Sequence, residues 1–363
     1  MNILFLTKEN NGGGLVTHVI NLANILEEKG NRSIVIGPLA NGNRERFNAL
    51  RCKYIPLSLG SKNLFEFYKN VQILKTIVKE EKIDIIHSHN RVASVYAQII
   101  NMQTGVPFVW TLHLNNIPSN PISRMLTFYG EKVIVVSSDI IHFCVKKLKI
   151  NRNDIVVGYN GVYEKEYMSF SEDEKKKIRE KYGLKRNQKV IVLLCRLDPI
   201  KQHKIVIEAL ERIKSDKEYV VLFTGESMVS GYKEELRNLV TKKGLDDYIK
   251  FVGYVNPVEI LNVSDLFVLP SSNEGFPISM IEAFLLKVPV VRTRTGGYKD
   301  VKNCIIAMDG VDDLREILQR FLNEELETED IVKRGYKFAI KNCTCDAMAE
   351  KVLSVYNEIL KVK

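Results

Sequence analysis

Apolar residues in this chain fall into short runs separated by helical stripes, and that alternation recurs along its whole length. Asn2–Thr7 is a short apolar run. Leu15, Val19, Leu22, Ile25 and Leu26 then recur at helical spacing until Gly30 ends the pattern. Further runs at Ser33–Ile36, Ile83–His87, Pro107–Thr111, Val133–Val136 and Ile155–Val157 read as strands, with a helix over Leu64–Glu80. Strands alternating with helices predict a parallel sheet covered on both faces, an α/β fold. Near Ser169 the texture changes to the charged helix SEDEKKKIREKYG, after which the alternation restarts. The strands expected there are Val190–Leu194, Tyr219–Phe223, Ile249–Val252, Leu266–Leu269 and Val288–Val291. Two α/β domains follow, 1–165 and 166–345. Beyond them Met348, Val352, Val355, Tyr356 and Ile359 form one helical stripe that suits either half.

Composition narrows this picture without changing it. A chain of 363 residues suits two domains of ordinary size. With 45% hydrophobic and 27% charged residues, collagenous, low-complexity and wholly disordered classes drop out. The start, MNILFLTKEN, lacks a basic lead-in, a long apolar stretch and a small-residue cleavage site, so secretion is not expected. Apolar runs such as Val190–Cys195 are far below the roughly 18 residues of a membrane span. Six scattered cysteines, with Cys343 and Cys345 as the close pair, suggest neither a disulfide framework nor a four-ligand zinc site. Reduced thiols and a cytoplasmic location are expected.

Candidate chemistry sits where strands run into helices. The loop Asn11–Gly14 precedes the first helix, where free backbone N–H groups suit an anion. Thr17 replaces the third glycine of a dinucleotide fingerprint and Gly37 follows the second strand where an acidic residue is needed, so NAD binding is disfavoured. No Gly-x4-Gly-Lys-Ser/Thr occurs either. The glycine turn serves an approaching phosphate or sugar, or the chain's own geometry. In the second half, Arg196 and Lys201 place two cations between a strand and a helix, fit for a diphosphate; a loop ion pair from Arg196 to Asp198 is the alternative. Glu274 stands in a strand-to-helix loop and Glu282 within the helix, among Ile278, Ile281 and Phe284. A carboxylate on such an apolar pattern needs hydroxyl or cationic partners. For Glu274 a plain helix-dipole role is the competing explanation. His113 ends a strand at the edge where α/β sites form, which favours function over structure. His87 and His89 also end a strand and fit either role, and Asn160-Gly161 reads as a turn.

These residues carry a resemblance. The blocks NGGGLVTHVINLANILEEKG, KIDIIHSHN, VWTLH, VIVVSS, YNGV, LLCRLDPIK, FVGYV and SDLFVLPSSNEGFPISMIEAF resemble, in order, those of retaining family-4 glycosyltransferases (glycosyl transferases group 1). The resemblance implies the GT-B architecture of two facing Rossmann-like domains with a cleft between them. It makes 1–165 the acceptor-binding domain, joined by the C-terminal helix 346–363, and 166–345 the nucleotide-sugar donor domain. Arg196 and Lys201 are implied to bind the donor's diphosphate, Glu274 to hold sugar hydroxyls, Glu282 the ribose, and His113 to lie near the donor sugar. Gly13, Gly14, Phe276, Pro277, Ile278, Gly253 and Asn160 are implied as further donor-site positions. The implied reaction is a hexosyl or N-acetylhexosaminyl transfer with retained anomeric configuration, in bacterial polysaccharide, glycolipid or glycoconjugate synthesis. With no Asp-x-Asp in the chain, no metal and no cofactor are expected, Arg196 and Lys201 standing in for a divalent cation. Lys287, Asp300 and VKNCIIAMDG depart from the family texture and bear on donor identity.

The net charge of +9 gains a direction from the domain division. Residues 1–165 hold 20 basic against 12 acidic side chains, and the remainder 33 against 32. The excess therefore lies on the acceptor half and suits an anionic acceptor or an anionic inner membrane surface, with Lys62, Lys69, Lys75, Lys79 and Lys82 as candidates. A solvated helix face explains them equally. A nucleotide-sugar epimerase of the same fold is the alternative function. A basic nucleic-acid-binding protein is disfavoured by the interleaved acidic residues, and no nucleic-acid partner is expected.

Overall fold

The computed structural model describes residues 1–8, 13–38, 49–61, 63–213, 215 and 218–361; Asn11, Gly12 and Lys62, singled out above, lie outside them. The chain divides into two compact units, 1–162 with 342–363, and 163–341. Both boundaries fall a few residues earlier than the sequence pattern places them.

The first unit is built on seven strands: β1 (Asn2–Leu6), β2 (Arg32–Gly37), β3 (Lys53–Pro56), β4 (Ile85–Ser88), β5 (Phe108–Leu112), β6 (Lys132–Val135) and β7 (Ile155–Val157). Their order is β3-β2-β1-β4-β5-β6-β7 and every pairing is parallel. Central strands are buried along nearly their whole length, which is why they read as unbroken apolar runs: both faces meet helices. The edge strand β3 was not expected, because KYIP is exposed or half-buried throughout and lacks that run. Helix α1 (Gly14–Glu28) turns Val16, Val19, Leu22, Ala23, Ile25 and Leu26 inward, and α2 (Leu64–Glu80) and α3 (Arg91–Thr104) cover the sheet beside Leu4, Ile34 and Ile86.

The C-terminal helix Cys345–Lys361 belongs to this unit and packs on α1. Its buried stripe is Met348, Val352, Val355, Tyr356 and Ile359. Three kinds of contact fix it. Lys29 pairs with Asp346 at 2.5 Å, Val162 exchanges backbone bonds with Cys343 and Cys345, and Tyr356 reaches His87 at 2.6 Å. Gly161 is required by this packing, since a Cβ there would stand 2.7 Å from the Thr344 carbonyl oxygen and 2.9 Å from Met348 Cβ.

The second unit repeats the plan with six parallel strands: β8 (Lys189–Leu193), β9 (Tyr219–Thr224), β10 (Ile249–Gly253), β11 (Leu266–Leu269), β12 (Val290–Thr293) and β13 (Ile306–Met308). The order β10-β9-β8-β11-β12-β13 is again that of a doubly wound sheet. β13, three half-exposed to buried residues at the edge, is too short to have shown in the pattern. β12 begins two residues later than expected because Lys287 takes φ +57 and Pro289 offers no N–H to the ladder. Between strands lie α4 (Glu172–Lys181), α5 (His203–Leu210), α6 (Tyr232–Lys242), α7 (Ile278–Leu285) and α8 (Val311–Leu322). In each sheet the strand order reverses at one place, between β1 and β4 and between β8 and β11, and ligands of such sheets bind outside the carboxyl ends there.

Candidate functional site

In the second unit the reversal point gathers the charged candidates. β8 runs into Arg196 and then a 3-10 turn, Pro199–Lys201, whose entry is capped by Asp198: its carboxylate accepts from the Ile200 N–H at 3.0 Å. Asp198 is thus used by its own loop. The loop ion pair from Arg196 to Asp198 is also present, at 3.8 Å, and with both side chains partly exposed it holds Arg196 only weakly. Lys201 by contrast points inward to Glu274, Nζ to Oε1 2.5 Å, with both side chains largely buried. The loop after β11 is tied to the same turn, the Ser272 N–H donating to the Ile200 carbonyl at 2.8 Å. Two chain segments from β8 and β11 are therefore locked together by one ion pair and one backbone bond, which pre-places the Lys201 ammonium.

Glu274 does not serve as a helix-dipole acid. The helix after it begins at Ile278 with Pro277 at its cap, and no acidic residue stands in its first turn. Phe276 is buried, Pro277 is the extended cap, and Ile278 opens α7. The loop Glu274–Phe276 is backed by Gly296 and Gly297. A Cβ on Gly296 would lie 2.1 Å from the Glu274 carbonyl oxygen, so only glycine permits this contact. Sequence reasoning passed over this pair. It also passed over Arg292, fully buried on β12, which donates to the Gly296 carbonyl at 2.8 Å and to Thr295 Oγ1 at 2.9 Å and so holds the backing turn. A charge on a strand that otherwise reads VVxT gave no motif to detect.

Glu282, within α7, is also buried and accepts from the Tyr167 hydroxyl at 2.7 Å. Tyr167 was not expected. It lies in the stretch leading into the charged helix, 115 residues away in sequence, and only the folded chain brings it there. The Ser271 hydroxyl, just past β11, is buried with no partner among the described residues. Gly253 ends β10 at φ +68 and accepts from the Gly225 N–H at 2.6 Å. His203, at the start of α5, packs edge-on to Phe223, and burial lowers its pKa to about 4. Burial pushes the neighbouring Cys195 thiol up to about 12, and its Sγ lies 3.6 Å from His203 Nε2. A cavity of about 510 Å³ lies beside the turn, lined by Pro199, Gln202, Ile205, Val229 and Tyr232 among others. None of Arg196, Lys201, Glu274 and Glu282 lines it, so it neighbours the charged cluster rather than containing it.

The first unit places different chemistry at its reversal point. Gly13 caps α1 in extended conformation, φ −97, and a Cβ there would meet nothing within 4 Å. Among the described residues, nothing in the packing therefore demands glycine at 13. Gly14 is the exposed first residue of α1. Four histidines converge beside them: His18 from α1, His87 and His89 from the end of β4, and His113 from the end of β5. Burial lowers the His18 pKa to about 4 and those of His87, His89 and His113 well below the usual value, and their mutual repulsion when charged adds to this for the last three. The rings are neutral near pH 7.

The two histidines of the H-x-H segment part company. His87 is satisfied, Nδ1 to the Tyr356 hydroxyl and Nε2 to Thr111 Oγ1, each at 2.6 Å, so its role is structural: it ties the sheet to the C-terminal helix. His89 faces His113, Nδ1 to Nε2 3.3 Å, and stacks on His87 with ring centroids 4.3 Å apart. Asn160 is buried and no plain turn residue: its Oδ1 lies 2.9 Å from His18 Nδ1. All twelve sequence-derived positions thus lie in described structure. Arg196, Lys201, Glu274, Phe276, Pro277, Ile278, Glu282 and Gly253 belong to the second unit, and Gly13, Gly14, His113 and Asn160 to the first.

Comparison with known proteins agrees with both halves. The model of glycosyltransferase family 4 matches residues 12–166, and that of glycosyl transferases group 1 matches 174–338. A UDP-Gal:alpha-D-GlcNAc-diphosphoundecaprenol alpha-1,3-galactosyltransferase of Escherichia coli is 27% identical over 87% of this chain and 82% of its own length. A protein of Bacillus subtilis named as a teichuronic acid biosynthesis glycosyltransferase is 26% identical over 73% of this chain and 68% of its own. Among solved structures, a glycosyltransferase of Rickettsia africae superposes with TM-score 0.88 at 23% identity, covering 100% of this chain and 99% of that one. HepE of Anabaena, solved with UDP, gives 0.86 at 20%, covering 99% and 100%. With the two sheets, their shared strand order and both family models in agreement, the chain belongs to the family-4 glycosyltransferases of GT-B fold.

Proposed function

We propose that the protein transfers a sugar from a nucleoside-diphosphate donor held by its second unit to an acceptor held by its first, with retention of anomeric configuration and without a metal ion. The observation that carries this reading is the Arg196, Lys201–Glu274 and Glu282–Tyr167 constellation at the carboxyl ends of β8 and β11. In the reaction the bond from the anomeric carbon to the diphosphate oxygen breaks and an acceptor hydroxyl oxygen bonds to that carbon. The acceptor's proton leaves with the diphosphate. Charge grows on the departing diphosphate, and cations already fixed in place stabilise it without reorganising, a contribution of about 3–4 kcal/mol per group removed. Lys201, held by Glu274, meets that condition; Arg196, partly exposed, is free to close on a phosphate. Glu282, which accepts from Tyr167, accepts from a ribose hydroxyl as well, and Glu274 accepts from the sugar.

The donor is a hexose or N-acetylhexosamine carrier. Support comes from the relative named for UDP-Gal and from the UDP complex of HepE. The acceptor is an anionic glycolipid or glycan, in line with the diphosphoundecaprenol in the E. coli relative's name and with the net +8 of the first unit. The same unit carries the surface suited to the cytoplasmic membrane face: Phe65 and Tyr68 are 75% and 63% exposed on α2, on the side that also bears Lys69, Lys75 and Lys79. No helix of the described residues is long and apolar enough to cross a membrane. A panel of UDP-, GDP-, ADP- and dTDP-sugars, scored by nucleotide release with a polyprenyl-diphosphate sugar acceptor and excess EDTA, tests the reading. One donor releasing nucleotide and an axial product anomer by NMR from an axial donor are expected. Sugar conversion without nucleotide release would mean an epimerase, and an inverted anomer would overturn retention.

A further inference from the structure

The first unit's histidines form a cluster that sugar transfer does not by itself explain. One ring nitrogen from each of His18, His89 and His113 lies within 4.8 Å of the other two. His18 and His89 are 1% exposed, yet Nε2 of each has no hydrogen-bond partner among the described residues. Such an orphaned buried group costs about 1–3 kcal/mol, and the one at His18, on the side of the cluster, calls for an occupant; His89 faces the cluster through Nδ1 instead. The Asn160 amide oxygen can only accept, so the 2.9 Å bond makes His18 Nδ1 the N–H and leaves the lone pair on Nε2. An imidazole oriented through its far nitrogen by an oxygen acceptor is the arrangement that metal-ligating histidines adopt. His89 Nδ1 and His113 Nε2 stand 3.3 Å apart. Two nitrogens each bound at about 2.0–2.1 Å to a tetrahedral Zn²⁺ are separated by about the same distance. His87, with both nitrogens bonded, is not available as a ligand.

We propose that His18, His89 and His113 form a three-imidazole site for a late first-row divalent ion of the Zn²⁺ type, with a fourth position left for water or another ligand. Neutral imidazoles suit Zn²⁺, Cu²⁺ or Ni²⁺. Mg²⁺ and Ca²⁺ want oxygens, and the cluster supplies none. An ion bound there takes the nitrogen of His113, which the family resemblance places near the donor sugar, so Zn²⁺ suppresses transfer. That consequence rests on the proposed function; binding does not.

The test titrates the chelator-treated full-length protein with CoCl₂, followed by visible absorption, and with ZnCl₂ by calorimetry, no donor being present. One equivalent of Co²⁺ with a four- or five-coordinate spectrum, no thiolate charge-transfer band and displacement by one equivalent of Zn²⁺ is expected, with no heat from MgCl₂. His113→Asn and His18→Gln each weaken Zn²⁺ binding at least tenfold. His113 is partly exposed, so its variant keeps the experiment decisive if the His18 variant misfolds. A thiolate band, which would put the ion on cysteines, an unchanged affinity in His113→Asn, or absence of binding would each overturn the site. Because the titration contains no nucleotide-sugar, a failure of the transferase reading leaves its outcome untouched.

Discussion

The two units share a strand order but furnish their carboxyl ends with opposite chemistry. In the second unit, charged side chains follow the two strands at the reversal point: Arg196 and the Lys201–Glu274 pair in the loops, and Glu282 on its tyrosine in the helix after them. In the first, the same position holds neutral imidazoles and a glycine whose Cβ would meet none of the described residues. Net charge points the other way. The first unit carries +8 and the second +1, and moving the boundaries to the structural units leaves both values unchanged. Bulk charge and site charge are therefore separate variables. In the near-neutral unit Lys201 and Arg196 each stand beside a local acid, Glu274 and Asp198, whereas the basic unit's lysines lie on its surface. Topology determines where a site forms, and the side chains placed there determine what it does.

Four perturbations test that contrast. The largest effect is expected from Arg196→Ala: kcat/KM for transfer falls about 10²–10³-fold by nucleotide release, because a cation that closes on the departing diphosphate is lost where charge develops. Acid is next. His203 is buried neutral with a pKa near 4, against about 6.5 unfolded, so the unfolded chain binds the extra proton between those values. Stability is full above pH 6.5, falls as the pH drops toward 4 by about 3 kcal/mol, and is flat in this term below. Urea melts of wild type and His203→Phe across pH 4–7 check it: the variant loses this slope.

Lys201→Met comes third. It strands the Glu274 carboxylate and lowers stability by about 2 kcal/mol, while Lys201→Met with Glu274→Gln recovers most of that and still does not transfer. Restored activity in the double variant would reduce the pair to a structural role. The smallest effect is expected from Tyr167→Phe, which removes one hydrogen bond to Glu282 and raises the donor KM about tenfold, near 1.4 kcal/mol, with kcat little changed. An equal fall in kcat would place Tyr167 in the transition state instead.

Much of this was legible in the sequence, for physical reasons that can be named. Central strands such as β1, β4 and β8 announce themselves because burial on both faces demands continuous apolar runs, and the stripe on the C-terminal helix because burial on one face demands a 3.6 period. Edge strands β3 and β13 escaped for want of that demand. Arg196, Lys201, Glu274 and Glu282 could be singled out because strand–loop–helix spacing sets their positions. Tyr167, Arg292 and Ser271 were missed because their parts are set by partners distant in sequence or by loops whose course no local pattern records. His87 and His89, indistinguishable as H-x-H, separate only once Tyr356 arrives from the far end of the chain to satisfy one of them.

Calorimetric titration of wild type and Arg196→Ala with UDP, GDP and ADP, all in EDTA, tests the central claim that the second unit alone supplies the charges for a donor diphosphate. The account predicts that one nucleotide binds the wild type without metal and loses at least tenfold in affinity in the variant. Equal affinity for that nucleotide in both proteins would contradict it.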